Sequence, residues 1–175
     1  MFNNCNKKMF SLAGQTVDTY GLDKTGKISY TFDQYGFREG NNYGQRPNYV
    51  FFGASTLAGI GVPEQKRFTR YFDNSWNFGL CGTYIDEESI INYHEFKKLQ
   101  LHEAKIIFCW KNNDPENLLG MIEKLPKNVY HCVTTKLDRD KTCLYPRNLD
   151  FDVSNTHWGP KTHEKFYKLL CYFLK

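Results

Sequence analysis

Residues 49–62 have the sequence Tyr49-Val-Phe-Phe-Gly-Ala-Ser-Thr-Leu-Ala-Gly-Ile-Gly-Val62. The apolar run from Tyr49 to Phe52 predicts a buried strand, and the glycines after it predict an abrupt turn. The pattern places one hydroxyl group, that of Ser55, just beyond the carboxyl end of the strand. Ligands bind at that edge of an open α/β sheet, because the loops there form a crevice. Ser55 is therefore the first candidate for chemistry.

The rest of the chain alternates between strand and helix patterns. Further strands are predicted from short apolar runs, at Trp76–Gly79, Lys105–Trp110 and Val129–Thr134. Helices are predicted from apolar residues at helical spacing, at Glu64–Phe72, Ile85–Leu99, Leu118–Leu125 and Pro160–Phe173. This alternation predicts an α/β fold: a three-layer α/β/α sandwich with a mostly parallel sheet and right-handed crossovers.

Residues 1–48 form an extension before this core. Asp23-Lys-Thr-Gly26 is a turn signal, and the alternation of apolar and polar residues over 28–32 indicates a half-buried strand. A small hairpin or flap packed beside the main sheet is expected. Arg38 lies in the loop that follows, where an arginine more often makes structural hydrogen bonds than contacts a substrate.

Length and charge limit the classes of protein to consider. A chain of 175 residues is expected to form a single domain, with 1–48 as the extension and 49–175 as the α/β core. The net charge of +4 is mild and no long run of like charges occurs, so nothing indicates a nucleic acid or membrane partner. The first ten residues lack the apolar core of a signal peptide, and no segment is long enough to span a membrane, so a soluble, cytoplasmic protein is expected. The sequence does not indicate the oligomeric state.

The six cysteines are far apart in the sequence. They are Cys5, Cys81, Cys109, Cys132, Cys143 and Cys171. No Cys-x-x-Cys pair and no cluster of histidines suggests a zinc site. Free thiols in a reducing cytosol are the expected state, and three of the six lie in apolar patterns that predict burial.

Two acidic residues precede a histidine in the segment before the last helix. Asp150 and Asp152 lie just upstream of His157. A serine hydroxyl needs a base within hydrogen-bond reach, and the base needs a partner that fixes its tautomer. Ser55, His157 and one of these aspartates could supply the three roles. Spacing alone does not select them, because a loop histidine and a turn-forming aspartate are the commoner explanation.

Several segments together resemble the SGNH, or GDSL, hydrolase family. Gly53-Ala-Ser55 resembles the first block of that family, and the family's later blocks are matched in order by Asn77-Phe-Gly-Leu-Cys-Gly82, Lys111-Asn-Asn-Asp114 and His157-Trp-Gly-Pro160. The resemblance implies a flavodoxin-like fold, with Ser55 as nucleophile and His157 as general base. It also implies an oxyanion hole formed by the Ser55 amide, the Gly82 amide, with Gly79 as the fallback, and the Asn113 side chain. No metal or organic cofactor is implied.

The chain departs from the family pattern at three positions. Ala54 replaces the aspartate of the first block, and Lys111 replaces the glycine of the third. Ser154 stands where the last block has its aspartate, two residues after Asp152. The third member of the triad is therefore Asp152 as first choice or Asp150 as second, and a serine–histidine dyad is also open.

The expected function is that of a serine esterase. Such an enzyme would hydrolyse a carboxylic ester through an acyl-enzyme on Ser55, with a small-molecule or carbohydrate ester as substrate. An acyl group carried on a saccharide is one candidate, suggested by the aromatic and Asn-rich amino-terminal segment. The alternatives are a binding or structural module that has lost the chemistry, and an acyltransferase on the same scaffold.

Overall fold

The computed structural model describes residues 13–17, 28–80, 85–100, 103–110, 115–133 and 157–175. The strands, in chain order, are β1 (Thr16–Val17), β2 (Tyr30–Thr31), β3 (Tyr49–Gly53), β4 (Ser75–Gly79), β5 (Lys105–Trp110) and β6 (Tyr130–Val133). The helices are α1 (Ser55–Ala58), two 3-10 helices (Glu64–Lys66 and Phe68–Tyr71), α2 (Ile85–Lys97), α3 (Pro115–Ile122) and α4 (Pro160–Phe173).

The main sheet is parallel, and within the described ranges its strand order is β4-β3-β5-β6. The first strand of this sheet along the chain is the interior strand β3. The next strand, β4, lies on one side of β3, and β5 and β6 follow on the other side. This is the order of doubly wound flavodoxin-like sheets, so the predicted α/β class is confirmed. At the carboxyl edge, Gly53 is in register with Gly79 on one side and with Cys109 on the other. The ends of three strands therefore lie side by side.

Both faces of the sheet are apolar and covered. Successive side chains on a strand point to opposite faces, so Phe51 and Phe52 belong to different layers. Phe52 packs against α2, with its ring centroid 5.9 Å from that of Tyr93. Phe51 packs against the second 3-10 helix, 5.7 Å from Phe68, which in turn contacts Phe166 of α4 at 4.9 Å. The sheet is thus the middle layer of three.

The amino-terminal segment joins the same core. β1 pairs antiparallel with β2, which confirms the predicted small hairpin. Tyr30, Phe32 and Phe37 are all buried, and they share an apolar cluster with Phe52 of the central sheet. The predicted turn at residues 23–26 lies outside the described residues.

The prediction of one helix over Glu64–Phe72 is wrong. Two short 3-10 helices form instead, separated by Arg67 in an extended conformation with φ −68° and ψ 131°. A continuous α-helix would require the Phe68 amide to bond to the Glu64 carbonyl. That amide instead donates to Nδ1 of His163 on α4, at 3.3 Å. A tertiary hydrogen bond has replaced a helical one.

The other helices match their predictions within a few residues. α4 has the predicted bounds, and α2 ends two residues before Leu99. α3 covers 115–122, three residues earlier than predicted, and Leu125 is buried in a turn after it, with its amide donating to the Ile122 carbonyl. Among the described residues, no helix is both long enough and apolar enough to cross a membrane.

Candidate active site

Ser55 lies in a sharp turn between the end of β3 and the start of α1. A Cβ atom on Gly53 would lie only 2.3 Å from the Cys109 carbonyl oxygen, so the end of β3 approaches β5 too closely for any other residue. Ala54 is extended and buried, and Ser55 is then the first residue of α1. This turn places the half-buried Ser55 at the carboxyl edge of the sheet.

His157 lies beside Ser55, although the two residues are 102 positions apart in the chain. The distance between His157 Nε2 and Ser55 Oγ is 2.9 Å, which is within normal hydrogen-bond range. When Nε2 accepts a hydrogen bond from the Ser55 hydroxyl, the neutral ring carries its own proton on Nδ1. The structure thus brings Ser55 and His157, the residues predicted as nucleophile and base, within hydrogen-bond distance of each other.

The start of α4 holds His157 in place. Trp158 is 3% exposed, and its ring packs against Phe166 with the centroids 5.0 Å apart. Gly159 is the N-cap of α4, and Pro160 occupies the first turn, where its fixed φ favours helix initiation. Because the residue after His157 is anchored in the core and the helix begins two residues later, the histidine has little freedom to move away from Ser55.

Strand β4 supports α1 from the side. The Asn77 side chain is buried, and its Nδ2 donates to the Leu57 carbonyl at 2.9 Å and to Thr69 Oγ1 at 2.8 Å. A Cβ atom on Gly79 would lie 2.3 Å from the Ala58 nitrogen, so β4 and the helix that carries Ser55 are in direct backbone contact. The position of α1 is therefore set by β4 as well as by β3.

The supporting role of Asn77 was not predicted from the sequence. The available signal was a single polar side chain between the apolar residues Trp76 and Phe78, inside a strand that is otherwise buried. Its Oδ1 accepts the Gly79 amide at 2.8 Å. Because this amide is already bonded within the protein, Gly79 is a poor fallback for the oxyanion hole.

The other predicted site residues lie outside the described ranges. They are Gly82, Asn113, Asp150 and Asp152, together with Lys111 and Ser154 at two of the departures from the family pattern. The predicted oxyanion hole beyond Ser55, and the predicted third member of the triad, stay predictions.

Two other described histidines have different surroundings. His163 is fully buried, where it accepts the Phe68 amide and stacks on the Phe68 ring. His131 Nδ1 accepts the indole N–H of Trp110 at 3.2 Å, and burial lowers the pKa of His131. Each of these histidines is thus held by contacts other than Ser55.

Three of the six cysteines lie within the described ranges. Cys109, Cys132 and Cys171 are free thiols, and the first two are buried side by side on β5 and β6 with their sulfur atoms 3.3 Å apart. Burial, and then the hydrogen bond with Cys132, raises the pKa of the Cys109 thiol. Within the described ranges, no group of three or more His, Cys, Asp or Glu side chains is arranged to bind a metal ion.

A cleft of about 610 Å³ lies at the opposite edge of the sheet. Tyr49 and Lys105, the first residues of β3 and β5, line it together with Tyr167 of α4. The strands separate this cleft from Ser55, so it is not part of the serine site.

The fold and the geometry define a class: a parallel α/β protein with a serine–histidine pair at the carboxyl edge of its sheet. Comparisons with models of protein families, with curated protein sequences and with solved structures gave no match. A functional assignment therefore depends on the geometry of the site and on the order of the sequence blocks.

Proposed function

We propose that this protein is a serine esterase of the SGNH type, with Ser55 as nucleophile and His157 as general base. The observation that carries the proposal is the 2.9 Å contact between His157 Nε2 and Ser55 Oγ at the carboxyl edge of the sheet. A nucleophile and a base within hydrogen-bond reach are the core of covalent acyl-transfer chemistry. The order of the blocks along the sequence is an independent support, because it selects the same pair without any use of the geometry.

The chemistry follows from the two side chains. His157 removes the hydroxyl proton as Ser55 Oγ attacks the ester carbonyl, and the resulting tetrahedral intermediate collapses to an acyl-enzyme. His157 returns the proton to the departing alcohol. A water molecule, deprotonated by the same histidine, then attacks the acyl-enzyme. As the bond from the acyl carbon to Ser55 Oγ breaks and the carboxylic acid leaves, His157 gives this proton to Oγ, which restores the Ser55 hydroxyl.

The oxyanion formed in each step needs hydrogen-bond donors. We assign the Ser55 amide, the Gly82 amide and the Asn113 side chain to this role, following the family's blocks. Loss of one such donor lowers kcat by about 10²–10³. Asn113→Ala is therefore expected to lower kcat in that range and to leave the fold intact.

The triad is completed by Asp152 in this proposal, with Asp150 as the second choice. An aspartate that fixes the histidine tautomer contributes about 10⁴ in kcat in serine proteases. Asp152→Asn and Asp150→Asn, measured side by side, identify the residue that acts. If neither substitution changes kcat, the site is a serine–histidine dyad.

A carboxylic ester is the substrate class that we propose. The case for an acyl-saccharide is weaker, because Tyr30, Phe32 and Phe37 of the amino-terminal segment are buried in the core and are not free to stack on a sugar ring. Acetylated saccharides should be compared with simple aryl esters at equal concentration, since a saccharide enzyme would prefer the former by a large factor in kcat/KM.

The test is covalent labelling with a fluorophosphonate probe, read by intact mass, together with hydrolysis of p-nitrophenyl acetate. Wild-type protein is expected to gain one adduct, and Ser55→Ala none. His157→Gln should lower both rates by at least about a hundredfold. Ser75→Ala is a matched control, because Ser75 is a half-buried serine on β4 whose hydroxyl donates to the Thr69 carbonyl. It should label at the wild-type rate.

Absence of an adduct on well-folded wild-type protein would contradict the proposal and favour a binding module without chemistry. Added alcohols provide a further discrimination. If they compete with water for the acyl group at low concentration, the protein is an acyltransferase on the same scaffold.

A further inference from the structure

Arg38 is a buried arginine that binds the main chain just after the nucleophile helix. It is only 2% exposed, and it lies in the loop before β3. Its Nη1 donates to the carbonyls of Ala58, at 3.3 Å, and of Gly59, and its Nη2 donates to the carbonyl of Val62 at 2.8 Å. One guanidinium group thus bonds three carbonyls within five residues of chain.

The carbonyls of Ala58 and Gly59 lie at the carboxyl end of α1, which is a single turn, and the Gly59 carbonyl also accepts the Val62 amide at 3.3 Å. Backbone amides bond the earlier carbonyls of the turn: the Ala58 amide donates to Ala54, and the Ile60 amide donates to Ser55. The last carbonyls of a helix have no such donors and must find other partners. Asn77 bonds the Leu57 carbonyl, and Arg38 bonds the carbonyls that follow. Side chains from outside the helix therefore complete its carboxyl end.

The guanidinium is itself held from the other side. Its Nε lies 3.3 Å from Glu64 Oε2, and its Cζ lies 4.5 Å from the centroid of the Tyr30 ring. The Tyr30 hydroxyl in turn accepts the Gly61 amide at 3.0 Å. Arg38 therefore connects the end of α1 to two side chains that belong to other segments.

We propose that Arg38 is a positioning residue for the nucleophile, an inference that rests on the proposed esterase function. Ser55 is three residues before Ala58 in the same helical turn, so a shift at the end of α1 moves the hydroxyl relative to His157. Displacing a reacting group by about 1 Å can lower the rate by about 10²-fold. The planar fork of an arginine spreads its donors over separate nitrogens in a fixed plane, whereas the three donors of a lysine ammonium share one nitrogen and cannot span the same set of acceptors.

Arg38→Lys tests the proposal, with Arg70→Lys as the matched control. Arg70 pairs with the same Glu64, at 3.4 Å, and bonds the Gly40 carbonyl at 2.9 Å, but the structure shows no bond from it to the end of α1. Both variants keep a positive charge. They are compared by kcat and KM on p-nitrophenyl acetate, by the rate of fluorophosphonate labelling, and by thermal melting.

For Arg38→Lys we expect kcat and the labelling rate to fall by about 10²-fold, with KM within about twofold of wild type. Arg70→Lys should stay within about twofold in all three quantities. The pH dependence of kcat should keep the wild-type midpoint in both variants, because His157 is unchanged. Assays are run well below both melting temperatures, so that a loss of stability alone does not lower kcat. Arg38→Gln, which retains one donor group, is measured in the same way.

The outcomes separate the two proposals. Wild-type protein that is not labelled at Ser55 refutes the esterase function itself. Labelled wild type together with an Arg38→Lys variant that reacts as fast as Arg70→Lys refutes only the positioning role. If neither Arg38 variant folds, Arg38 is a residue of the fold and its separate role toward Ser55 is also refuted.

Discussion

Gly79→Ala should separate Ser55 from His157, the proposed nucleophile and base, without removing either side chain. The added Cβ would lie 2.3 Å from the Ala58 nitrogen and 2.7 Å from the Ala58 Cα, whereas ordinary contacts of a Cβ begin at 3.4 Å. The obstructing atoms belong to the backbone of α1, so no side chain can rotate out of the way. Gly79 is not among the residues with positive φ, so the backbone itself would accept alanine. Strand β4 and helix α1 must therefore move apart by about 1 Å.

The expected effect is larger on catalysis than on stability. Overpacking of this kind lowers the free energy of unfolding by about 1–3 kcal/mol, and most domains stay folded after such a loss. If Ser55 is the nucleophile, as proposed, a shift of about 1 Å in its position lowers kcat by about 10²-fold. Gly120→Ala is the matched control, because nothing lies within 4 Å of a Cβ at that position on α3. This variant should keep wild-type kcat, and its free energy of unfolding should rise by up to about 1 kcal/mol because alanine has a higher helix propensity than glycine.

The assay combines kcat on p-nitrophenyl acetate with urea denaturation and a crystal structure of the variant. In Gly79→Ala the distance from Ser55 Oγ to His157 Nε2 should exceed about 3.5 Å, beyond hydrogen-bond range. This structural result does not depend on the identity of the natural substrate. A folded variant with wild-type kcat and an unchanged distance would refute the reasoning that β4 fixes the position of α1.

Two further predictions concern stability. Burial lowers the pKa of His131 below the usual 6.5, so the folded state binds fewer protons than the unfolded state, and stability is lost as pH falls from the unfolded pKa through the folded one. His131→Gln retains an acceptor for the Trp110 indole and should lose less stability than wild type between about pH 7.5 and about pH 5, measured by urea midpoints; an equal loss would contradict this. Phe51→Ala should lower the free energy of unfolding by about 3–5 kcal/mol, because the ring is fully buried against Phe68. Ile91 is 47% exposed, so Ile91→Ala should change the free energy of unfolding by no more than about 0.5 kcal/mol. Chemical denaturation of both variants checks this, and similar values for the two would be the contrary result.

Apolar runs predicted β3 and β5 well, because both strands lie inside the sheet, are buried on both faces over most of their length, and therefore have nearly continuous apolar sequences. The predicted bounds of β5 and α4 agree with the structure, the latter because Pro160 marks the first turn of the helix. The failure at residues 64–72 has a specific cause. The hydrogen bond from the Phe68 amide to His163 joins residues 95 positions apart, and no local pattern contains it.

The serine–histidine pair was predictable only as a candidate. Spacing along the chain does not distinguish His157 from other histidines, and its selection depended on the order of blocks at successive strand ends. The contact itself requires the tertiary structure, in which the turn after β3 and the start of α4 meet. Asn77 was missed for a related reason: a polar residue in a buried strand signals a partner, but the sequence does not say that the partner is the Leu57 carbonyl.

The position of Ser55 depends on contacts from several parts of the chain. β5 approaches at Gly53, β4 contributes Asn77 and Gly79, and the amino-terminal loop contributes Arg38. Each contact acts on the backbone of the turn or of α1, and none acts on the hydroxyl itself. A serine held in this way keeps its side chain free, while its backbone is fixed relative to His157, which suits the proposed roles of the two residues. Residues 28–48 therefore contribute to the support of α1 as well as to the apolar core, through a guanidinium that bonds three carbonyls at and just after the end of this helix.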